Sequence, residues 1–336
     1  MALKNNTWKL NQWYDQAVAG TQGDYSGEIQ LWGWGRNNHG QLGVNDKNNR
    51  SSPVQIPGTT WVGGAIGRKC QYQVKTDGTL WAWGSNAYGQ LMHNNRTNIS
   101  SPKQVPGTTW SGAFGKISGS FGGTATLIKT DGTMWSVGRN DEGGEIGDNA
   151  NISRSSPVQI PGTTWSKVAR GQNHAFAIKT DGTLWAWGYN GTGRLGINLG
   201  SGNNRSSPTQ VGSDTTWTDV SATSKSSFGI KTDGTLWSWG HNTYGNLGQN
   251  QAHNVGHCSS PKQIPGTTWS LLARGGVNNM VAIKTDGTLW VWGNDEYGNN
   301  NNNDGDIDRS SPTQVPGTTW HQLSGTNNGF FAIKQL

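Results

Sequence analysis

Apolar positions in this chain come in short bursts of alternating character, each closed by glycine. One phrase carries the pattern. It reads KTDGTLWAWG at Lys75–Gly84, IKTDGTMWSVG at Ile128–Gly138, IKTDGTLWAWG at Ile178–Gly188, IKTDGTLWSWG at Ile230–Gly240 and IKTDGTLWVWG at Ile283–Gly293. A shorter form, QLWGWG, occupies Gln30–Gly35, and a second phrase, SSPxQxPGTTW, recurs at Ser51–Trp61, Ser155–Trp165 and Ser310–Trp320. The period-two alternation of TLWAW predicts a half-buried strand. The Asp-Gly before it predicts a tight hairpin turn, because that pair tolerates positive φ.

The spacing turns these strands into an architecture. The second Trp of LWxWG falls at Trp34, Trp83, Trp187, Trp239 and Trp292, with Val137 in the third copy, in steps of 49 to 54 residues. A period near 50 fits one four-stranded propeller blade. Within residues 165–216 the four strands read Trp165–Ala169, His174–Lys179, Thr183–Trp187 and Pro208–Val211. Proline at the start of the last strand places it at the outer edge, where a missing N–H breaks no ladder, and the first strand then lines the central channel. Six LWxWG…SPxQ pairs begin near Glu28 and six TTW…AIK pairs end at Lys334. The expectation is an all-β, closed propeller of six blades over 28–336, its ring completed by C-terminal strands pairing with N-terminal ones. Residues 1–27 form an extension or attachment segment with Trp8, Trp13 and Tyr14 as its anchors. The count becomes seven if that stretch, whose Thr7-Trp8 echoes TTW, adds a degenerate blade.

Composition changes this picture little but limits function. Only 31% of the 336 residues are hydrophobic, yet 19 are Trp, and each aromatic buries about 150–250 Å². The net charge of +6 is spread by repetition (Lys75, Lys129, Lys179, Lys231, Lys284, Lys334), whereas nucleic-acid binders gather basic residues on one face; nucleic acid is not an expected partner. Cys70 and Cys258 give neither a disulfide framework nor a metal site. The N-terminus lacks the apolar core of a secretory signal, and no apolar run is long enough to span a bilayer.

The unit LWxWGxNxxGQLG…SSPxQV…W…AIK, with Asn37–Gly43 and Asn242–Gly248 carrying its NxxGxLG element, resembles the repeat of the regulator of chromosome condensation family. The resemblance implies a protein-recognition propeller. The known members do unrelated jobs: nucleotide exchange on a small GTPase, plant UV-B sensing and inhibition of β-lactamase. The Gly-Trp-Arg-His-Thr element of the photoreceptor is absent, so the tryptophans are assigned to blade cores. The near-verbatim copies are similar in style to propellers of tailed phages and environmental bacteria.

No catalytic set is visible, and no enzyme activity is expected. Asp77, Asp131, Asp181, Asp233 and Asp286 are read as turn residues, and the repeated lysines as solvated neighbours that pair loosely with them. Arg50, Arg154, Arg205 and Arg309 could form a basic ring for an acidic partner, but are read as packing their stems on a neighbouring blade's Trp and bonding a carbonyl. Asp304, Asp306 and Asp308 lie in an Asn-rich loop and are the one Ca²⁺ candidate, without the EF-hand spacing; a solvated loop is preferred, and no cofactor is expected. Two loop sets differ between copies, one before SSP and one after the channel strand, and rigid scaffolds present function on such loops. From the second set come the partner-binding candidates Arg68, Lys69, Arg170, His174, Lys225, Arg274, Asn278, Asn279, Asn327 and Asn328. The leading expectation is a phage virion component, in tail or capsid surface, that recognises a host receptor. The alternatives are a cytoplasmic regulatory protein-binding propeller with exchange-factor-like action and a glycan-binding propeller.

Overall fold

The structure, a computed structural model, describes residues 29–67, 69–251, 256–273, 277–296, 298, 307–325 and 330–334. Its first sheet is two-stranded, β1 (Gln30–Gly35) with β2 (Arg50–Thr59). Five four-stranded antiparallel blades follow. Blade 1 comprises β3 (Trp61–Ile66), β4 (Cys70–Lys75), β5 (Leu80–Gly84) and β6 (Ile99–Gln104), and blade 2 β7 (Ile117–Gly119), β8 (Thr124–Ile128), β9 (Met134–Gly138) and β10 (Arg154–Ile160). Blade 3 holds β11 (Trp165–Arg170), β12 (His174–Lys179), β13 (Leu184–Gly188) and β14 (Arg205–Gln210). Blade 4 holds β15 (Trp217–Ala222), β16 (Ser226–Lys231), β17 (Leu236–Gly240) and β18 (Cys258–Ile264). Blade 5 holds β19 (Trp269–Leu272), β20 (Asn279–Lys284), β21 (Leu289–Gly293) and β22 (Arg309–Val315), and β23 (Trp320–Gly325) with β24 (Phe330–Lys334) forms a last two-stranded sheet. By their repeat phrases the terminal pairs correspond to the outer and inner halves of one further blade, and among the described residues no ladder joins β1 to β24. First strands of successive blades pack on one another, β3 on β7 through β19 on β23, which makes them the inner wall.

The fourth strand begins three residues earlier than its proline implies, at Arg205, with Pro208 inside it. The register explains this. Gly188 pairs with Arg205 and Ala186 with Thr209, so the strand carries a bulge that spans the proline. The same irregularity separates Ser136↔Val158 from Gly138↔Arg154 around Pro157. A residue without an N–H is tolerated where the ladder is already interrupted.

The cores lie between blades. Ile128, Met134 and Ile160 of blade 2 pack with Trp165, Val168 and Trp187 of blade 3. The second Trp of LWxWG is the clamp: its Nε1 donates to a carbonyl of the preceding unit's loop, Trp83 to Gln41, Trp187 to Glu145, Trp239 to Arg194 and Trp292 to Asn246, each at 3.1 Å. The last glycine of GQLG makes room for it. A Cβ at Gly147 would lie 2.7 Å from Trp187 Nε1, and one at Gly43 2.6 Å from Trp83 Nε1.

The TDGT hairpin works as a small network. In blade 1 the Thr79 amide and hydroxyl both donate to Asp77 Oδ1, and Trp81 Nε1 donates to Thr79 Oγ1 at 2.9 Å. These donors hold the Asp77 carboxyl below its usual range, and Asp131, Asp181, Asp233 and Asp286 share the arrangement and the direction. The turn reading of the aspartates holds. The lysines correct the expectation, because they are not loosely solvated. Each Nζ of Lys75, Lys129, Lys179, Lys231 and Lys284 sits 4.0–5.0 Å from the centroids of two tryptophans of its own blade. Partial desolvation between two π-faces favours this over pairing with an exposed carboxylate. Lys231 also reaches Asp214 at 2.8 Å, outside the TDGT ring.

Candidate functional site

Strand order divides the loops between two faces. On one face the hairpin turn meets the PGTT segment. The amides of Thr76, Thr130, Thr180, Thr232 and Thr285 donate to the carbonyls of Thr60, Thr109, Thr164, Thr216 and Thr268. Apart from Ser213-Asp214 in place of Pro-Gly before blade 4, these residues repeat from blade to blade, so this turn face offers nearly the same surface each time. On the other face the loop after the inner strand meets the loop before SSP. Ser85, Arg139, Tyr189, His241 and Asn294 donate their amides to Lys69, Gly123, Asn173, Lys225 and Asn278. Both loop sets that differ between copies therefore share one variable face. This follows from topology, since the first–second and third–fourth connections of an antiparallel sheet lie at the same end.

Five of the outer loops of the variable face are built on a buried Asn, the sixth on Asp295, and each is closed by one anchor. Asn37, Asn86, Asn140, Asn190 and Asn242 are fully buried. Their Oδ1 atoms accept the amides of Leu42, Leu91, Ile146, Leu195 and Leu247 at 2.8–3.0 Å. Their own amides donate across the loop to Asn49 Oδ1, Asn98 Oδ1, Ser153 Oγ, Asn204 Oδ1 and His257 Nδ1. In the next copy the Asp295 amide donates to Asp308 Oδ1 at 2.8 Å. Asp308 thus spends a carboxylate oxygen on loop closure, while Asp304 and Asp306 lie outside the described residues.

Three of the arginines before SSP, Arg50, Arg154 and Arg205, serve the same loops, and two of them bond a carbonyl as expected. Arg50 is ion-paired to Asp46 and Arg154 to Asp148 at 2.9 Å, and Arg205 donates to the Asn204 carbonyl at 3.0 Å. Each of the three finds a partner within its own loop.

The partner-binding candidates separate into two groups. Lys225 is exposed, and Lys69 and Asn278 are half-buried at the rim. Arg170, His174 and Asn279 are buried, and in this conformation a partner does not reach their side chains. Arg170 crosses to blade 2, donating from Nη1 to Thr126 Oγ1 at 2.6 Å and from Nη2 to the Glu145 carbonyl at 2.7 Å. Burial lowers its pKa to about 10, partly offset by Glu145. His174 shares a 3.1 Å hydrogen bond with Ser227 Oγ, and its ring fills the space under Gly171, where a Cβ would lie 2.1 Å from Cε1. Burial, then the charges of Arg194 and Arg170, push it well below the usual histidine range. Beside this cluster Asn173 donates to the Glu142 carboxylate. Glu142 and Asp141, both bound by Arg139 at 2.5 Å, line a polar cleft of about 210 Å³ with Gly143, Asn151, Asn204 and Ser206. Arg68, Arg274, Asn327, Asn328, Trp8, Trp13 and Tyr14 lie outside the described residues.

Fold and loops together define a repeat propeller with one repetitive face and one individual face. The chain belongs to the RCC1-like domain family, whose model matches residues 28–331. Among solved structures it is similar to Prp20p from Saccharomyces cerevisiae, with a TM-score of 0.76 and 19% identity over 90% of this chain and 77% of that one. Yeast RCC1 (Prp20) bound to Kap60 gives 0.75 and 19% over 91% and 77%, and human WBSCR16 0.72 and 17% over 89% and 83%. At these identities the likeness is one of fold. No curated protein matches the chain in sequence. No helix among the described residues is long and apolar enough to cross a membrane.

Proposed function

We propose that this chain is a protein-binding propeller that engages its partner through the variable face. The observation that carries the reading is the division of the loops: both individual sets lie on one face, and the opposite face repeats the same turns. A rigid scaffold that varies only at one end concentrates specificity there. Membership of the RCC1-like family supports protein recognition in general, and the similar yeast protein is described by its binding to Gsp1p and histones. The virion-surface and glycan readings draw no support from the matched family or the similar structures, and we prefer the regulatory, protein-binding one.

The test is a paired comparison of surfaces. Proteins cross-linked to the wild-type chain in its native host should be lost with Lys69→Glu/Lys225→Glu/Asn278→Ala and retained with Thr163→Glu/Thr267→Glu, exposed positions on the turn face. Equal retention by both variants would remove the assignment of the face, and failure of wild type to cross-link any protein would remove the function.

A further inference from the structure

Blade 4 closes its outer loop differently from the other copies. Where Asn49, Asn98, Asn204 and Asp308 present an oxygen and Ser153 a hydroxyl, His257 presents Nδ1, which accepts the Asn242 amide at 3.0 Å. A ring nitrogen that accepts from a backbone N–H carries no proton, so the imidazole is neutral with its proton on Nε2. Protonation turns that acceptor into a donor facing another donor. None of the other five anchors has this liability, because neither an amide oxygen nor a hydroxyl loses acceptor capacity across pH 5–8, and carboxylates ordinarily stay ionised there.

The surroundings add to the effect. His257 stacks on His241 with centroids 4.9 Å apart and planes 18° from parallel. His241 shares a 2.6 Å hydrogen bond between Nε2 and Thr243 Oγ1, and its Nδ1 is buried without a partner. The groups that act on it are the ring of His257, Lys225 from the inner loop of the same blade and Arg194 from the outer loop of blade 3. Burial first, then these three neighbours in that order, lower its pKa to about 4. His257 is thus stacked on a ring that burial, Lys225 and Arg194 hold against protonation. The backbone at the pair ties the two loop sets together, since the His241 amide donates to the Lys225 carbonyl at 3.2 Å and its carbonyl accepts from Ser226 Oγ at 2.7 Å.

We propose that the His257–Asn242 anchor of blade 4 is a pH-responsive element of the variable face: protonation of His257 breaks the anchor and loosens the surface beside Lys225. Its bearing on recognition rests on the protein-binding reading, but its test needs no partner, so either can fail while the other stands.

The experiment is amide hydrogen exchange on the full chain at pH 7.5 and pH 5.5, corrected for intrinsic rates, following Asn242 with Asn190 as internal reference. Loss of one such hydrogen bond predicts about a tenfold fall in protection at Asn242 relative to Asn190 on acidification. In His257→Asn, which installs the anchor used by the first, second and fourth loops, the ratio should stay constant. His257→Gln serves if the first variant expresses poorly. Every other histidine remains in these variants, so general acid effects cancel in the comparison. A ratio in wild type that does not change with pH, or one that changes equally in wild type and His257→Asn, overturns the proposal.

Discussion

Blades 1, 3, 4 and 5 and the N-terminal half-sheet carry the same LWxWG strand in different surroundings. In the blades, Trp83, Trp187, Trp239 and Trp292 are fully buried, each clamped to the unit before it. In β1 the equivalent Trp34 is 62% exposed and Trp32 49%. The C-terminal half shows the complementary deficit. Lys334 lies 5.9 Å from Trp320 and, among the described residues, over no second ring, and Ile333 is half exposed. An LWxWG strand is thus not a self-sufficient element. Its tryptophans become core only when an inner hairpin covers one side and a preceding unit the other, as expected of repeats that bury their apolar faces against neighbours. Aligned on the Ala282↔Trp290 pair of blade 5, β24 would bring Ala332 opposite Trp32 and supply Lys334 with its second ring.

This comparison can be broken most directly at the clamp. Trp187→Ala removes a fully buried indole and its hydrogen bond, and should destabilise by about 3–5 kcal/mol in urea unfolding. Trp34→Ala should cost under ~1 kcal/mol if β1 stands as in this structure, and several times that if β24 covers it in solution. A covalent version sharpens the question. Trp32→Cys/Ala332→Cys should form an intramolecular disulfide and gain about 2–4 kcal/mol. Absence of that cross-link on non-reducing gels would mean that the terminal sheets do not pair in this register.

Much of the fold was legible because it is written several times. The strand pattern, the Asp-Gly turns, the inner and outer positions and the burial of Trp83 and its equivalents all follow from local chemistry repeated at a fixed spacing. The site was less legible. The difference between Lys225 at the surface and His174 beneath it depends on Gly171 packing over the imidazole and on Arg170 reaching Thr126, 44 residues earlier. Such contacts leave no periodic trace. The lysine cages are similar, since alternation predicts a strand but not that two indoles converge on one ammonium. The shared location of the two individual loop sets was available from strand order alone.

One signal in the sequence had a structural meaning that only packing explains. The third copy has Val137 where the others have Trp, and the preceding loop ends in Met92 where Gly43, Gly147, Gly196 and Gly248 stand elsewhere. Both residues are buried, and Met92 keeps the left-handed backbone of the glycine it replaces, with φ 66°. The larger side chain occupies volume the indole leaves, and Tyr72 OH takes over the Gln90 carbonyl at 3.2 Å. Val137→Trp alone should therefore overpack and cost about 1–3 kcal/mol, while Val137→Trp/Met92→Gly should recover most of it. The double-mutant cycle should give a coupling above ~1 kcal/mol; additive effects would show that the two differences arose independently.

The smallest expected effect returns to the comparison of whole and split blades. Replacing a caged lysine by a neutral side chain of similar length removes the cation from two indole faces while keeping most of the stem. Lys179→Gln, whose Nζ lies 5.0 Å from Trp165 and 4.3 Å from Trp185, should cost about 0.5–1 kcal/mol. Lys334→Gln loses one ring at a longer distance and should cost less. High salt discriminates this from surface ion pairing, because screening weakens an exposed Lys–Asp contact far more than a cation held against indole. If 1 M NaCl abolishes the cost of Lys179→Gln, the aspartates of the TDGT turns, not the tryptophans, hold these lysines. If the two variants cost the same at every salt concentration, Lys334 has its second indole in solution, and the split blade is whole.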